Sequence, residues 1–253
     1  MTYKIDSAFL CKADGAGREK MEERLVQKHG DIEKITVARS ILSRSVDGYY
    51  IGEGKRYICI VAAHHALESI TANFAFSLID YLMTKSYNGK IKDIDCKLLL
   101  LKYRFLVIPC ANPDGVELRF NGVSDSPLKE RILRMSGGDF SLWQANARGV
   151  DLNHNYDARF MEYKIIEAKM GIAAGPTLYS GEAPESEPET KGIANLIRSL
   201  APSAIMSLHT QGEEIYAYPK THRVKRCAHR LSSATGYGVS EADGTAGYGG
   251  LCD

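Results

Sequence analysis

One unbroken apolar run, YICIVAA at 57–63, restricts the fold of this chain more than any other feature. A short run rich in Ile and Val suits a strand buried on both faces, which is the situation of strands inside a parallel sheet. Two further apolar runs, at 104–110 and 203–209, predict strands of the same kind. Helical spacing of apolar residues predicts helices at 70–84 and 189–200. This alternation indicates an α/β fold with a mainly parallel sheet.

Weaker patterns predict the remaining elements. The segment GREKMEERLVQKH at 17–29 is typical of a charged surface helix, with Met21, Leu25 and Val26 on one side and Gly30 as its end. The other expectations are strands at 34–37 and 48–51, a turn at NPDG (112–115), long loops at 121–150 and 171–188, and a helix cap made by Ser186 and Glu187.

Length and composition narrow the class of protein. The chain has 253 residues, which suit one large α/β domain or two small ones. Its formal net charge of +1 argues against a nucleic-acid or membrane-surface partner. No apolar run approaches the ~20 residues that cross a bilayer. The N-terminal segment lacks the basic start and apolar core of a signal peptide. The six cysteines are scattered without a CxxC pair, so we expect a cytoplasmic location.

Three residues at strand ends suggest a metal site. His65 and Glu68 follow the strand at 57–63 directly, and their spacing puts both side chains on one face of a helical turn. Taken alone, HxxE is a common pattern of surface helices. However, ligands in open α/β sheets bind outside the carboxyl ends of the strands, and His209 stands at the end of another predicted strand. Two histidines and a carboxylate suit a catalytic zinc ion, with His64 as the competing ligand.

From about residue 40 onward, the sequence resembles the zinc carboxypeptidase family. The matching segments, in family order, are SRSVDG at 43–48, AAHHALE at 62–68, NPDGVE at 112–117, RGVDLNHNYD at 148–157, SEPET at 186–190, SLHTQGEEIYAYP at 207–219 and GTAGYGGLCD at 244–253. The resemblance implies one Zn²⁺ ion held by His65, Glu68 and His209, which selects His65 over His64. It also implies a mixed, mainly parallel twisted sheet with helices on both faces.

Within that family, ARGVDLNHNYDA resembles the bacterial γ-D-glutamyl-meso-diaminopimelate peptidases, which act on cell-wall peptides. An Asn-Arg pair binds the terminal carboxylate of the substrate in the family. Asn153 matches the asparagine, whereas His154 replaces the arginine, and histidine is a weaker, pH-dependent partner for a carboxylate. The resemblance thus implies substrate binding by Asn153 and His154. Tyr248 is a further candidate, from a glycine-rich segment that could cover the substrate, although packing is the alternative.

The catalytic machinery departs from the family pattern. By the family register, Gln144 occupies the position of the arginine that stabilises the oxyanion, and Arg148 is the nearby substitute, with loop ordering as its alternative role. The resemblance places the general-base glutamate on a strand beyond the last residue, Asp253. We therefore expect residues 1–253 to form a single catalytic-type domain that lacks this glutamate, the C-terminal strand and the C-terminal helix.

These observations favour a zinc-dependent metallopeptidase acting on murein-type γ-D-glutamyl-diaminopimelate peptides, with activity reduced by the missing glutamate. The first alternative is an inactive zinc- and peptide-binding pseudoenzyme. The second is a zinc amidase that removes acyl groups from amino acids. The expected partner is a peptide. Loss of the last strand would also expose a sheet edge, and we expect that edge to favour a homo-oligomer.

Overall fold

The computed structural model describes residues 4–86, 89–91, 93–218, 221–240 and 250–252. The α-helices in these ranges are Gly15–His29 (α1), Ile70–Ser86 (α2), Cys96–Lys102 (α3), Pro113–Asn121 (α4), Lys129–Ser136 (α5), Phe160–Met170 (α6), Pro188–Leu200 (α7) and His222–Thr235 (α8). The strands are Lys34–Arg39 (β1), Ser45–Ile51 (β2), Arg56–Val61 (β3), Lys90–Ile91 (β4), Ile94–Asp95 (β5), Tyr103–Ile108 (β6), Ala204–Ser207 (β7), Glu214–Tyr216 (β8) and Gly238–Ser240 (β9). Single 3₁₀ turns lie at Ser7–Leu10, Ala66–Glu68 and Leu152–His154.

A five-stranded mixed sheet with the order β1-β2-β6-β3-β7 forms the centre of the fold. Strand β3 pairs in parallel with both β6 and β7, whereas β2 is antiparallel to β1 and β6. The α/β fold predicted from the alternating pattern and the mixed sheet implied by the resemblance are confirmed, with two parallel and two antiparallel strand pairs in this sheet among the described residues. The apolar run at 57–63 is explained by the central place of β3, because a strand with neighbours on both sides and helices above and below has no exposed face.

Helices cover both faces of this sheet, as predicted. On one face, Cys59 and Val61 of β3 pack in a cluster with Ile193 and Ile197 of α7. On the other face, Ile60 belongs to a larger cluster that includes buried residues of α1, α2 and α4. Successive residues of a strand point to opposite faces, so one short segment contributes to two cores.

The first long helix illustrates how local sequence sets its ends. The Asp14 carboxylate accepts a hydrogen bond from the Gly17 amide at 2.9 Å, which caps the N-terminus of α1. Gly30 ends the helix in a backbone conformation with φ of 76°, which suits glycine because it has no Cβ atom. Met21 and Leu25 on this helix are buried, whereas the Val26 side chain faces solvent.

The helix predicted at 70–84 is present as α2, although Ile70 and Phe74 in its first turns are exposed, at 60% and 56%. The expectation of a turn at 112–115 needs correction. The NPDG segment is the start of α4 rather than a free turn. Asn112 caps this helix by accepting a hydrogen bond from the Gly115 amide, and Pro113 occupies the first turn, where no amide donor is needed.

Two further corrections concern the long segments. The expected loop at 121–150 contains α5, whereas no helix or strand interrupts 171–187. Glu187 stands at the N-cap of α7 but makes no capping hydrogen bond with its side chain, so the predicted cap is wrong. Its carboxylate instead accepts from Asn146 and from Ser186.

Strand β7 ends at Ser207, two residues before His209, so this histidine follows the strand instead of closing it. Within the described part of the chain, β7 is also an edge strand of the sheet. Association of two copies through this edge stays a prediction. None of the helices in the described ranges has the length and apolar character required to cross a membrane.

Packing of α7 on the sheet predicts a measurable loss of stability. Ile193 is fully buried, and Ile193→Ala should lower the free energy of unfolding by about 2–5 kcal/mol, because the cavity adds to the lost burial. Denaturant titration measures this change. Ile165→Ala on α6 is the matched control, since Ile165 is 57% exposed and its loss should cost less than about 0.5 kcal/mol. Equal effects at the two sites would contradict this packing.

A buried carboxyl in α7 predicts a pH dependence. Glu189 is fully buried, and neither of its carboxyl oxygens has a hydrogen-bond partner among the described residues. Burial, with added repulsion from Asp114 and Glu187, raises its pKa from 4.5 to about 8. Between these values the unfolded chain loses a proton that the folded chain keeps, so stability falls as pH rises, by about 1.4 kcal/mol per pH unit.

Replacing Glu189 by glutamine should remove this dependence. We expect the unfolding free energy of Glu189→Gln, relative to the wild type, to rise from pH 5 to pH 8 and to level off above that. Denaturant titrations across this range measure it. Glu130→Gln, on an exposed position of α5, is the control and should show no such trend. A difference between Glu189→Gln and the wild type that does not change with pH would show that Glu189 is already ionised in the folded chain.

Candidate metal centre

The HxxE segment forms a single 3₁₀ turn immediately after β3. This turn, Ala66–Glu68, places His65 and Glu68 on the same side. Ala63, three residues before this turn, has φ of 50°, an unusual backbone conformation for a residue with a side chain. Thr71 fixes this conformation, since its hydroxyl oxygen accepts from the Ala63 amide at 2.9 Å and its hydroxyl donates to the Glu68 carbonyl at 2.8 Å. The local backbone is thereby held in the shape that aims both side chains.

His209 reaches the same place from the neighbouring strand. Because β7 is parallel to β3, with Ser207 beside Val61, the carboxyl ends of both strands lie at one edge. His209 Nδ1 lies 2.9 Å from Glu68 Oε2, and His65 Nδ1 lies 3.3 Å from the same oxygen. One ligand atom from each residue lies within 4.8 Å of the other two. The structure therefore brings together the three residues that the sequence proposed as ligands.

The donor set fits a divalent cation such as zinc. His65 Nδ1 is buried and makes no hydrogen bond, although it faces the Glu68 carboxylate. A buried imidazole nitrogen without a hydrogen-bond partner is costly unless something else occupies its lone pair. Two imidazole nitrogens and one carboxylate oxygen are a typical set for catalytic zinc, which keeps a fourth position open. His65, Glu68 and His209 are the residues that could hold the ion.

Charges in the site are strongly coupled. Burial would lower the pKa of His65, but the Asp151 and Glu68 carboxylates outweigh it and raise that pKa to about 10. Burial would likewise raise the pKa of Glu68, but the hydrogen bond with His209 and the close contact with His65 lower that pKa to about 2. The carboxylates are thus ionised and attract positive charge at this edge of the sheet. A cation bound there would replace the protons of the two imidazoles.

Asp151 is the residue that sequence reasoning missed. It is almost completely buried, and its Oδ1 atom lies 3.1 Å from His65 Nε2. Its Oδ2 atom accepts from the Leu178 amide at 3.0 Å. Burial alone would raise the pKa of Asp151, but His65 and His154 lower it well below the usual range. A carboxylate behind a ligand imidazole fixes the ring and its tautomer. In the sequence, the available sign of this role was the position of Asp151 within the motif RGVDLNHN, since ligand spacing alone does not single it out.

His64, the competing ligand, points away from the site. Its Nε2 atom lies 2.9 Å from the Tyr156 hydroxyl, and the residue is fully buried. Burial and the neighbouring imidazoles of His209 and His65 hold its pKa well below the usual value, so the ring is neutral. The geometry therefore favours His65 over His64 as the residue that faces Glu68.

Asn112 connects the ligand turn to the loop that follows α5. Its side-chain amide donates to the carbonyls of His64 and Gln144, each at 3.0 Å. The Ala66 amide also donates to the Gln144 carbonyl, at 3.0 Å. Asn112 is fully buried, so these hydrogen bonds form away from water, where polar groups left unpaired are costly. Removing this side chain would free both segments at once.

Gln144 and Arg148, the two candidate catalytic residues, each contact a polar side chain of another segment. The Gln144 side chain accepts a hydrogen bond from the Thr177 hydroxyl at 2.8 Å. The Arg148 guanidinium lies 3.6 Å from the Glu187 carboxylate at the start of α7, and its side chain is half exposed. This contact agrees with the alternative role of Arg148 in ordering the loop. Oxyanion stabilisation by either residue stays a prediction.

The proposed substrate-binding residues lie on the 3₁₀ turn Leu152–His154, next to the site. Asn153 is partly exposed. The His154 ring is buried and stacked on the Tyr163 ring, with the centroids 4.2 Å apart and the planes at 6°. An aromatic stack restricts the ring far more than a solvated surface would. Substrate binding by Asn153 and His154 stays a prediction, and Tyr248 lies outside the described residues.

Comparison with known proteins places the site in context. A model of the zinc carboxypeptidase family matches residues 19–242. The gamma-D-glutamyl-L-diamino acid endopeptidase 1 of Lysinibacillus sphaericus is 32% identical over 184 residues, covering 71% of this chain and 46% of that protein. Murein peptide amidase A of Escherichia coli (strain K12) is 29% identical over 128 residues, covering 48% of this chain and 43% of that protein.

The fold has matches among solved structures. The crystal structure of thrombin activatable fibrinolysis inhibitor matches 97% of this chain and 63% of its own, with a TM-score of 0.69 and 18% sequence identity. At that identity the likeness concerns the fold. The chain spans about half the length of the curated relatives it matches.

The Asp151–His65 contact predicts a specific loss of metal affinity. Asp151→Asn keeps the size of the side chain but removes the negative charge behind His65, so we expect zinc to bind about 10–100-fold more weakly. Competition with a chromophoric chelator measures the dissociation constant. Asp125→Asn, at a fully exposed carboxylate beside Lys129, is the matched control and should bind zinc like the wild type. Unchanged affinity in Asp151→Asn would show that Asp151 does not support the metal.

Proposed function

The chain belongs to the zinc carboxypeptidase family, and on that premise we propose that it is a zinc-dependent peptidase for murein-type γ-D-glutamyl-diaminopimelate peptides. The observation that carries this proposal is the convergence of His65, Glu68 and His209 at the carboxyl ends of two parallel strands. The named activities of two relatives support the substrate class, since one is a gamma-D-glutamyl-L-diamino acid endopeptidase and the other a murein peptide amidase.

The residues of the chain would divide the work as follows. His65, Glu68 and His209 would hold one zinc ion, and Asp151 would keep the His65 ring in the orientation that turns Nδ1 toward Glu68. When bound, zinc supplies Lewis-acid chemistry at the scissile carbonyl. Asn112 fixes the loop that carries Gln144 to the ligand turn, so the residues of this loop would already be oriented when a substrate binds.

Recognition of the substrate end is the second part of the proposal. In this proposal, Asn153 would donate from its side-chain amide to a terminal carboxylate of the peptide. His154 would contribute less than an arginine, since an imidazole offers no bidentate fork for a carboxylate. Its stack on Tyr163 further limits its reach. This combination favours an end group other than an ordinary C-terminal carboxylate, such as that of diaminopimelate.

The cysteines support a location for this activity. None of the six cysteines, all of which lie in the described ranges, forms a disulfide, and three of them, Cys59, Cys96 and Cys110, are buried. Free thiols are typical of proteins in reducing compartments. We therefore propose that the chain functions in the cytoplasm, where its peptide substrates would be fragments of murein and not the intact wall.

Hydrolysis of a defined peptide tests the proposal. The zinc-loaded chain should cleave a γ-D-glutamyl-diaminopimelate tripeptide, and kcat/KM should fall by more than about 100-fold in Glu68→Gln, because a ligand is lost. Glu130→Gln is the control and should retain the wild-type rate. Liquid chromatography of the products measures cleavage. Cleavage of an N-acetyl amino acid in place of the tripeptide would instead indicate a zinc amidase.

A second candidate function is a zinc- and peptide-binding domain without turnover. It is favoured by the polar contacts of two residues, since Thr177 engages the Gln144 side chain and Glu187 neighbours the Arg148 guanidinium. Calorimetry with the same tripeptide separates the two functions. Binding that requires Glu68 but yields no product would contradict the peptidase and support the binding domain.

A further inference from the structure

We propose that Ser207 is a positioning residue for the ligand His209, and that the buried His64–Tyr156 pair orients the Ser207 hydroxyl. This inference rests on the proposed zinc site but concerns groups that the site itself does not include. Ser207 is the last residue of β7, and its Oγ atom lies 3.1 Å from His209 Nε2. The other nitrogen of that ring, Nδ1, faces Glu68.

The two ligand imidazoles are therefore supported in the same manner by different groups. Each turns Nδ1 toward Glu68 and presents Nε2 to an oxygen behind it. For His65 that oxygen belongs to the Asp151 carboxylate, and for His209 it belongs to the Ser207 hydroxyl. A histidine that binds a metal through one nitrogen carries its proton on the other, and the group that accepts this proton fixes the ring.

A hydroxyl is a weaker anchor than a carboxylate unless its own orientation is fixed, because it rotates to suit its partners. Here a third group supplies that constraint. His64 Nδ1 lies 3.4 Å from Ser207 Oγ, the longest link of the series, and His64 Nε2 lies 2.9 Å from the Tyr156 hydroxyl. The His64 ring also stacks on His209, with centroids 5.8 Å apart and planes at 20°.

With a bound cation in place of the proton on His209 Nδ1, one set of proton positions would satisfy every link. His209 Nε2–H would donate to Ser207 Oγ, the Ser207 hydroxyl to His64 Nδ1, and His64 Nε2–H to the Tyr156 oxygen. Each ring would then use one nitrogen as a donor. In this arrangement the only imidazole nitrogen of His209 without a proton is Nδ1, which is the nitrogen that faces the other ligands.

The burial of this relay explains why it can act on the ligand. His64 is fully buried and Tyr156 is 4% exposed, so water does not compete for their polar atoms. The Tyr156 ring packs edge-on against His64, at 5.8 Å and 71°. The series Tyr156–His64–Ser207 is thus a rigid support for His209. It extends from the hydrophobic cluster on the α7 side of the sheet, where Tyr156 packs with Ile193, to the edge of the sheet where His209 lies.

Zinc affinity and a metal-free spectrum test this proposal. Ser207→Ala should weaken zinc binding about 10–100-fold, measured by chelator competition, and Tyr156→Phe should weaken it by a smaller factor. Ser207→Thr keeps a hydroxyl in a residue that suits a strand, and should restore most of the affinity. Ser199→Ala, at an exposed serine of α7, is the matched control and should bind zinc like the wild type.

In the metal-free chain, Ser207→Ala should also shift the ¹⁵N resonance of His209 Nε2, while Ser199→Ala leaves it in place. Wild-type affinity in Ser207→Ala or in Tyr156→Phe overturns the proposal, and so does a Ser207→Thr variant as weak as Ser207→Ala. A wild-type chain that binds zinc without cleaving the tripeptide contradicts the proposed function alone. The metal-free resonance tests the Ser207 contact even if zinc does not bind.

Discussion

The parallel pairing of β3 with β7 is the interaction on which the candidate metal centre depends. Glu68 and His209 are 141 residues apart in the chain, and no local interaction could bring them together. Backbone hydrogen bonds between the strands do so, since Val61 lies beside Ser207 and the Leu208 amide donates to the Val61 carbonyl at 2.9 Å. A slip in this register would move His209 to the wrong face or out of reach.

Behind the ligands lies a layer of buried polar groups. Asp151, Asn112 and His64 are almost completely buried, and each has hydrogen-bond partners on more than one segment. Burying such groups is costly unless they are paired, so the surrounding fold must hold every partner in place. The expected gain is a set of ligand side chains that are already oriented before a cation arrives.

Much of the fold could be predicted because local chemistry determines it. The apolar run of β3 requires burial on both faces, and Asp14 and Gly30 mark the ends of α1. Expectations were wrong where tertiary surroundings decide. The helical spacing at 70–84 predicted α2, but only the tertiary surroundings leave Ile70 exposed while they bury Ile79. The NPDG segment has the composition of a turn and also that of a helix start, and only packing distinguishes the two.

By itself, the sequence determined the candidate ligands His65, Glu68 and His209. Residue order gives their types directly, and the apolar runs before them predict the strands that they follow. Only the tertiary structure decided what stands behind them. Asp151 supports His65 and Ser207 contacts His209, and neither pairing follows from spacing, since each joins distant segments through side-chain direction. Residue order fixes which groups are available, whereas the paths of strands and loops through space fix which of them meet.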